Sequence, residues 1–223
     1  MTDRPILFSG PMIRALLDGR KTQTRRLFKL PKWAVPGTLE VDDDGPYACA
    51  EISGCLAKVP TRINAGDRLW ARETWQGLSF GDYQPTKSSL CEVRYAATDP
   101  CADLDAEARG YPWRPSIFMP RWASRLTLIV TDVRVERLQD ISEEDAIAEG
   151  IERHHSGWMP YSTAFYEADG VTPANYHLDP RESYRSLWNK INGFGAWEAN
   201  PWIACYSFRI IKQNIDQIEK EAA

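Results

Sequence analysis

An alternating apolar pattern between residues 125 and 137 is the feature that most constrains how this chain can fold. Its members are Leu126, Leu128 and Val130, followed in a shifted phase by Val133 and Val135. A period of two residues places such side chains on one face of an extended strand, and that face must pack against another layer to exclude water. The pattern therefore predicts a long β-strand, with a bulge or a turn near Asp132, where the phase changes.

Shorter patterns predict the other elements and their order. Strands are predicted over residues 5–8, 22–28, 68–74 and 202–211, and helices between Pro11 and Gly19 and over residues 142–149 and 181–191. Ser142 caps the second of these helices, with Asp145 at the capping-box position. Strands with few, interspersed helices predict an α+β protein, specifically a small mixed β-barrel with peripheral helices. The chain has no GxGxxG or GxxxxGK[ST] motif, which disfavours dinucleotide and nucleoside-triphosphate enzymes.

Three long stretches outside these elements are interpreted as insertions. The 223 residues are enough for one elaborated domain or two small ones. Proline, glycine and the acidic run Asp42–Asp44 interrupt any periodicity in the first stretch. We predict a single domain over residues 1–223, with insertions at about residues 30–65, 76–112 and 153–180.

The charge is distributed unevenly along the chain. The net charge is −4, but residues 1–30 carry seven Lys and Arg against two Asp, so this segment has a charge of +5 and the remainder −9. A basic patch on an acidic body favours one specific anionic or nucleotide ligand over a general nucleic-acid coat function.

The cysteines and the apolar runs indicate the compartment. Five cysteines without a CxxC pair make a poor zinc site and a poor disulfide framework, so reduced thiols are expected. No apolar run approaches 18 residues and no leader peptide is recognisable. We predict a cytoplasmic protein with no membrane partner, no cofactor and no metal site.

The basic run Gly19–Arg26 contains the first group of candidate functional residues. Lys21 and Thr24 lie three residues apart across a turn into a strand, and the like charges of Arg20 and Arg25 would lower the pKa of Lys21. A neutral lysine can act as a general base on a threonine hydroxyl. The alternative is structural: Lys21 is a solvated turn residue and Thr24 an ordinary strand residue.

Further candidates lie in other segments. Glu149 ends the 142–149 helix and is either a functional carboxylate or an exposed helix residue. Arg121 and Trp122 could hold a phosphate and stack on a base, or they could be a core tryptophan with a salt-bridged arginine. Glu73, on the predicted strand over residues 68–74, is another polar candidate.

Together these segments resemble the ASCH family, whose fold is like that of the PUA RNA-binding domain, and in particular its longer phage and prophage form. The resemblance rests on residues 5–10, 19–26, 66–75, 115–125, 138–150 and 188–202. It implies a small β-barrel of PUA-like type with a cleft that binds RNA or nucleosides.

The resemblance also implies an activity. One branch of the family hydrolyses N4-acetylcytidine, with the lysine and the second threonine of a G-x-K-T-x-T-x-R motif and a later glutamate as the catalytic residues. These positions correspond to Lys21, Thr24 and Glu149. We expect the remaining candidates to bind the substrate or RNA: Arg20, Arg25, Arg26, Trp70, Glu73, Arg121 and Trp122. The alternatives are a non-catalytic RNA-binding module and a metal-independent ribonuclease that uses the same basic cleft.

Overall fold

The computed structural model describes residues 1–33, 40–41, 47–52, 55–161 and 175–218. The chain divides into two compact units. Unit 1 comprises Met1–Gly19, Gly66–Val130 and Arg209–Ala223, and unit 2 comprises Arg20–Ala65 and Thr131–Phe208.

Thirteen strands are formed by the described residues. They are β1 (Asp3–Leu7), β2 (Gln23–Leu27), β3 (Glu40–Val41), β4 (Tyr47–Ile52), β5 (Cys55–Pro60), β6 (Arg68–Arg72), β7 (Trp75–Leu78), β8 (Pro85–Thr86), β9 (Glu92–Tyr95), β10 (Thr127–Arg137), β11 (Arg153–His154), β12 (Gly157–Trp158) and β13 (Trp202–Ile211). The boundaries between the units fall inside β10 and β13, so both strands contribute residues to each unit.

Helices are fewer and mostly short. They are α1 (Gly10–Leu17), α2 (Ala106–Arg109), α3 (Glu143–Ala148) and α4 (Pro180–Asn192). Short 3₁₀ helices span Ser116–Phe118, Arg121–Ala123, Leu138–Asp140 and Ile215–Gln217. No helix in the described ranges is long and apolar enough to cross a lipid bilayer.

Unit 1 is built on β6. This strand pairs in parallel with β1, from Asp3 opposite Arg68 onward, and in antiparallel with the first part of β10, where Trp70 is opposite Thr127. A second sheet has the strand order β8-β7-β9. The alternating apolar residues of β10 are buried as their period requires, and so is the inner face of α1 around Ile13.

Unit 2 contains β2, α3 and α4. Within it the strand order is β10-β13-β2, and β2 runs antiparallel to β13 with Thr24 opposite Tyr206. The helices α3 and α4 pack on an apolar cluster that includes Ile141, Tyr184, Trp188, Ile203 and Cys205. Strand β13 is buried on both faces here, because Ile203, Ala204, Cys205 and Tyr206 all exclude solvent.

The α+β class is confirmed, but the predicted barrel is wrong for the described part of the chain. The sheets there are open, because their edge strands each pair on one side only. Among the described strands, β1 pairs only with β6 in unit 1, and β2 pairs only with β13 in unit 2. Alternation reports that a strand face is buried, but closure depends on which strands meet at the two edges, and a period of two carries no such information.

The predicted helices and the cap of α3 are confirmed. The helix expected over residues 181–191 is α4, and the side chain of Ser142 accepts a hydrogen bond from the backbone N–H of Asp145. The long strand predicted over residues 125–137 is β10, in which Thr131 and Asp132 are both exposed where the phase changes. The single domain over residues 1–223 stays a prediction.

All three predicted insertions contain regular structure, the third of them in strands β11 and β12. Strands β4 and β5 form a hairpin between residues 30 and 65, and β8, β9 and α2 lie between residues 76 and 112. Residues 34–39, 42–46, 53–54 and 162–174 lie outside the described residues. The acidic run Asp42–Asp44 and much of the insertion at residues 153–180 are therefore not described.

Candidate functional site

Lys21 is buried in unit 2 and binds Glu149. Its side chain is 0% exposed, and its Nζ lies 2.7 Å from Glu149 Oε2 and 2.8 Å from the main-chain oxygen of the same residue. A lysine is almost never fully buried unless it is paired. The solvated-turn alternative is therefore excluded for Lys21.

The chain before β2 is bound to the end of α3 by three successive residues. Arg20 Nη1 donates to the oxygen of Gly150 (2.9 Å), Lys21 Nζ to that of Glu149, and the Thr22 backbone N–H to that of Ala148 (2.8 Å). The last carbonyls of a helix lack partners within the helix, and cations are favoured at this end. Residues 20–22 thus satisfy the C-terminus of α3 and hold Lys21 in place.

Glu149 is the residue that ends α3. It is the C-cap, 4% exposed, and is followed by Gly150 in a left-handed conformation (φ 86°). Glycine adopts this conformation without steric penalty, so the chain can turn away directly after the glutamate. The side chain of Glu149 points inward to Lys21, and the exposed-helix alternative is excluded as well.

Arg25 contacts three carboxylates. Its Nη2 lies 2.8 Å from both Glu136 Oε1 and Asp145 Oδ2, and its Nη1 lies 3.3 Å from Glu149 Oε1. The guanidinium is buried, with a side-chain exposure of 0%. Because its long-range partners among the described residues are acidic groups of unit 2, Arg25 is placed to hold Glu149 and is shielded from an RNA backbone.

Arg134 extends this network toward solvent. Its Nη2 lies 3.0 Å from Asp145 Oδ2 and its Nη1 lies 3.5 Å from Glu136 Oε2, while 41% of its side chain is exposed. Asp145 and Glu136 are thus shared between one buried and one exposed arginine. A continuous chain of opposite charges runs from Lys21 through Glu149 and Arg25 to the surface.

Thr24 and Arg26 lie on the same face of β2. Successive side chains of a strand point to opposite faces, so these two share one face and Gln23 and Arg25 share the other. Thr24 is 1% exposed, and Arg26 is half-buried. Lys21 precedes the strand, so alternation does not fix the direction of its side chain. The approach of Lys21 Nζ to Thr24 Oγ stays a prediction.

The surroundings lower the pKa of Lys21. Burial lowers the pKa of Lys21, Glu149 opposes this change, and the positive charges of Arg26 and Arg25 add to it. Burial also raises the pKa of Tyr184, a residue of α4 that experiences the charge of Glu149. Unit 2 therefore contains a buried lysine and carboxylate in direct contact, and such a pair can exchange a proton.

In unit 1, Glu73 is paired with Arg125. The two carboxylate oxygens accept one hydrogen bond each from Arg125, both at 2.9 Å, and the guanidinium lies 3.9 Å from the centre of the Tyr95 ring. Burial raises the pKa of Glu73 although Arg125 opposes this change. The bidentate pairing with Arg125 gives the buried carboxylate of Glu73 a structural role, because both of its oxygens are hydrogen-bonded.

The other candidates of unit 1 also have protein partners. Arg121 binds Asp3 (2.6 Å) and Asp216 (2.9 Å). Trp122 meets Trp75 edge to face at 5.8 Å, and Trp70 is buried, with the Arg72 guanidinium 5.3 Å from its ring. These contacts favour the core-tryptophan and salt-bridge interpretation of Arg121 and Trp122.

Sequence reasoning missed Glu136, Asp145 and Arg134. One signal for Asp145 was available, because it precedes Glu149 by four residues and so lies on the same side of α3. Glu136 and Arg134 lie on β10, more than 100 residues after Arg25, and no local pattern connects them with it. Among the residues that the structure describes, no group of three His, Cys, Asp or Glu side chains could hold a metal ion.

In comparisons with known proteins, no family model matches this chain, and neither a curated protein nor a solved structure is significantly similar to it. Support for the ASCH resemblance therefore comes from the motifs alone, above all those of residues 19–26 and 138–150. Membership of that family stays a prediction.

Proposed function

We propose that this protein hydrolyses an N4-acylated cytidine, with Lys21 as general base, Thr24 as nucleophile and Glu149 as general acid. The observation that carries the proposal is the buried contact between Lys21 Nζ and Glu149 Oε2 at 2.7 Å. The two residues lie 128 positions apart. The family resemblance selects the same two residues as a functional pair, from motifs that contain no information on the distance between them.

The proposed reaction has two stages. Neutral Lys21 accepts the proton of the Thr24 hydroxyl, and Thr24 Oγ attacks the acyl carbonyl carbon. The bond between this carbon and N4 then breaks, and Glu149 protonates N4 as cytidine leaves. Water next hydrolyses the acyl-threonine and releases the carboxylic acid, so that the net reaction consumes one water molecule.

The contact between Lys21 and Glu149 supports the proton transfers in this scheme. A general acid must acquire the proton that it donates, and a hydrogen bond of 2.7 Å provides a direct path for it from Lys21. Lys21 and Thr24 are shielded from solvent. A substrate therefore reaches them only after neighbouring groups move.

Non-catalytic RNA binding has weaker support. A basic groove requires arginines that are available to phosphates, whereas Arg25 binds three carboxylates of unit 2, and Arg121 binds two in unit 1. A modified nucleoside as ligand remains part of the proposal, on the strength of the motifs.

The test is hydrolysis of a panel of N4-acylated cytidines, with the products identified by mass spectrometry beside a short RNA incubated in parallel. We expect cytidine and the free acid from the unaltered protein, and loss of both products in Lys21→Ala and Glu149→Gln. The control is Arg185→Ala, which alters an exposed arginine of α4 paired with Glu198.

Three outcomes separate the possibilities. Absence of turnover of every acylcytidine by the unaltered protein would overturn the proposal. Cleavage or binding of the RNA in that case would establish the alternative function. Full activity of Thr24→Ala with loss in Lys21→Ala would show that Lys21 activates water directly, and Thr24 would lose its role as nucleophile.

A further inference from the structure

A glutamate that exchanges a proton with a lysine must hold one carboxylate oxygen close to the lysine Nζ in a fixed direction. The carboxylate of Glu149 is at the end of a side chain with three rotatable bonds, and its terminal torsion is broad and roughly two-fold. Without a second partner, the plane of the carboxylate could rotate away from the direction of the Lys21 hydrogen bond. In unit 2 the second partner is Arg25, which lies 3.3 Å from Oε1 while Lys21 lies 2.7 Å from Oε2.

Arg25 is itself fixed from the other side. Its Nη2 binds Glu136 and Asp145 at 2.8 Å each, and both of these carboxylates are also held by Arg134. A planar guanidinium presents its donors in a rigid fork, so anchoring of Nη2 determines where Nη1 points. The direction of Glu149 Oε1 is thereby set by groups that do not touch Lys21.

We propose that Arg25 is a positioning residue, which orients the Glu149 carboxylate toward Lys21 and is itself oriented by Glu136, Asp145 and Arg134. This inference deepens the proposed hydrolysis and rests on it for the kinetic measurements. It also replaces the expectation that Arg25 contacts RNA, since its guanidinium is buried among carboxylates.

Arg25 has an electrostatic effect as well as a geometric one. The charged groups that act on Lys21 are Glu149 at the end of α3 and Arg25 and Arg26 of β2. The charged groups that face Arg25 are Glu136, Asp145 and Glu149, and the titratable side chains of Tyr184 in α4 and Cys205 in β13 lie near it. Loss of the positive charge of Arg25 should raise the pKa of Lys21, because a like charge disfavours the protonated form.

Two replacements of Arg25 distinguish its effect on the orientation of Glu149 from the effect of its positive charge on Lys21. Arg25→Lys keeps the charge but loses the fork, whereas Arg25→Gln loses both. We expect kcat for acylcytidine hydrolysis to fall roughly 10- to 100-fold in both variants, the order found when a group that orients a functional side chain is removed. The pH at which kcat is half-maximal should rise by about 0.5–1 unit in Arg25→Gln and stay unchanged in Arg25→Lys.

A third variant keeps the test valid if replacement of Arg25 prevents folding. Asp145→Asn removes one anchor of the guanidinium while Arg25, Glu149 and Lys21 remain. We expect a smaller loss of kcat, a few-fold, with KM unchanged because no group that touches the substrate is altered. The matched control is Arg185→Gln on the exposed face of α4, and it should leave both constants unchanged.

A measurement that needs no activity distinguishes failure of this inference from failure of the proposed function. NMR titration of the lysine side chains measures the pH at which Lys21 is half-protonated. The Lys21 signal is assigned as the one that is missing in Lys21→Arg. An upward shift in Arg25→Gln but not in Arg25→Lys supports the coupling even if no acylcytidine is hydrolysed. An unchanged midpoint in Arg25→Gln, or unaltered kcat in Arg25→Lys and Asp145→Asn, would overturn the positioning role.

Discussion

Lys21 binds Glu149 twice, through the carboxylate and through the main-chain carbonyl, at 2.7 and 2.8 Å. The two bonds have different consequences. The bond to the carbonyl satisfies the end of α3 whatever the residue at position 149, whereas the bond to the carboxylate requires a glutamate there. Replacement of each partner can therefore separate helix capping from ion pairing.

The first prediction concerns the stability of this pair. Lys21→Met leaves the buried Glu149 carboxylate without its closest cation, and Glu149→Met leaves a buried ammonium without a counter-ion. We expect each to lower the free energy of unfolding by about 3–5 kcal/mol. The double variant Lys21→Met/Glu149→Met buries no unpaired charge and should cost about 0.5–3 kcal/mol less than the sum. Urea unfolding of the four proteins measures this difference, and strictly additive costs would contradict the pairing.

The second prediction concerns acid stability in unit 1. Hydrogen bonds from Arg68, with a further contribution from Arg121, lower the pKa of Asp3 to about 2. Because the folded value lies below the ordinary value of 3.8, the stabilisation is complete above about pH 4 and is lost as the pH falls through about 2. Asp3→Asn should therefore be less stable than the unaltered protein at about pH 5 and should lose less stability on acidification.

Thermal unfolding at about pH 5 and about pH 2.5 measures this acid effect. Asp103→Asn, at an exposed position of the same unit, is the control. An Asp3→Asn protein whose stability falls as steeply with acid as that of the unaltered protein would refute the assignment.

The third prediction concerns thiol reactivity. Burial raises the pKa of Cys205 to about 12, and its side chain is inaccessible, whereas Cys101 is exposed. At about pH 8, only on the order of one Cys205 thiol in ten thousand is ionised, and the thiolate is the reactive form. Iodoacetamide should therefore modify Cys101 and spare Cys205, as read from peptide masses. Unfolding in urea should make both reactive, and equal labelling of the two in the folded protein would contradict their placement.

The fourth prediction compares two glycines of unit 2. A Cβ added at Gly157 (φ +142°) would lie 2.6 Å from the main-chain oxygen of His177, whereas one added at Gly195 (φ +80°) would meet nothing within 4 Å. Gly195→Ala should cost about 1–3 kcal/mol for the backbone conformation alone. Gly157→Ala should cost clearly more, because displacement of His177 also disturbs its two backbone hydrogen bonds with Trp158. Equal losses in urea unfolding would show that the chain relaxes around position 157.

Local signals explain which parts of the fold could be predicted from the sequence. The cap of α3 at Ser142 depends on residues within one helical turn, and the apolar stripe of α4 on residues within a few turns. Both are confirmed. Whether strands close into a barrel depends on edge pairings between distant segments, and the barrel prediction fails at that level.

The sequence likewise predicts some residues of the candidate site and misses others. The resemblance selects Lys21 and Glu149 because it rests on several segments of the chain at once, whereas a single local pattern covers only one segment. The RNA-binding role expected of Arg25 stays a prediction; it is suggested because a basic residue in a basic run indicates an anionic ligand. Its partners Glu136 and Asp145, 111 and 120 residues further along the chain, supply the opposite charge. Only the folded arrangement shows that these charges already neutralise one another.

The attachment of residues 20–22 to the end of α3 also sets the order in which the protein can fold. Its bonds close a loop of about 128 residues, and the entropy lost in loop closure opposes such contacts until the rest of the unit has formed. The N-terminal part of the chain leaves the ribosome long before residues 148–150 have been made. Lys21 and Arg25 therefore remain without their buried counter-ions until α3 emerges, and the assembly of this charge cluster is expected to be a late, slow step of folding.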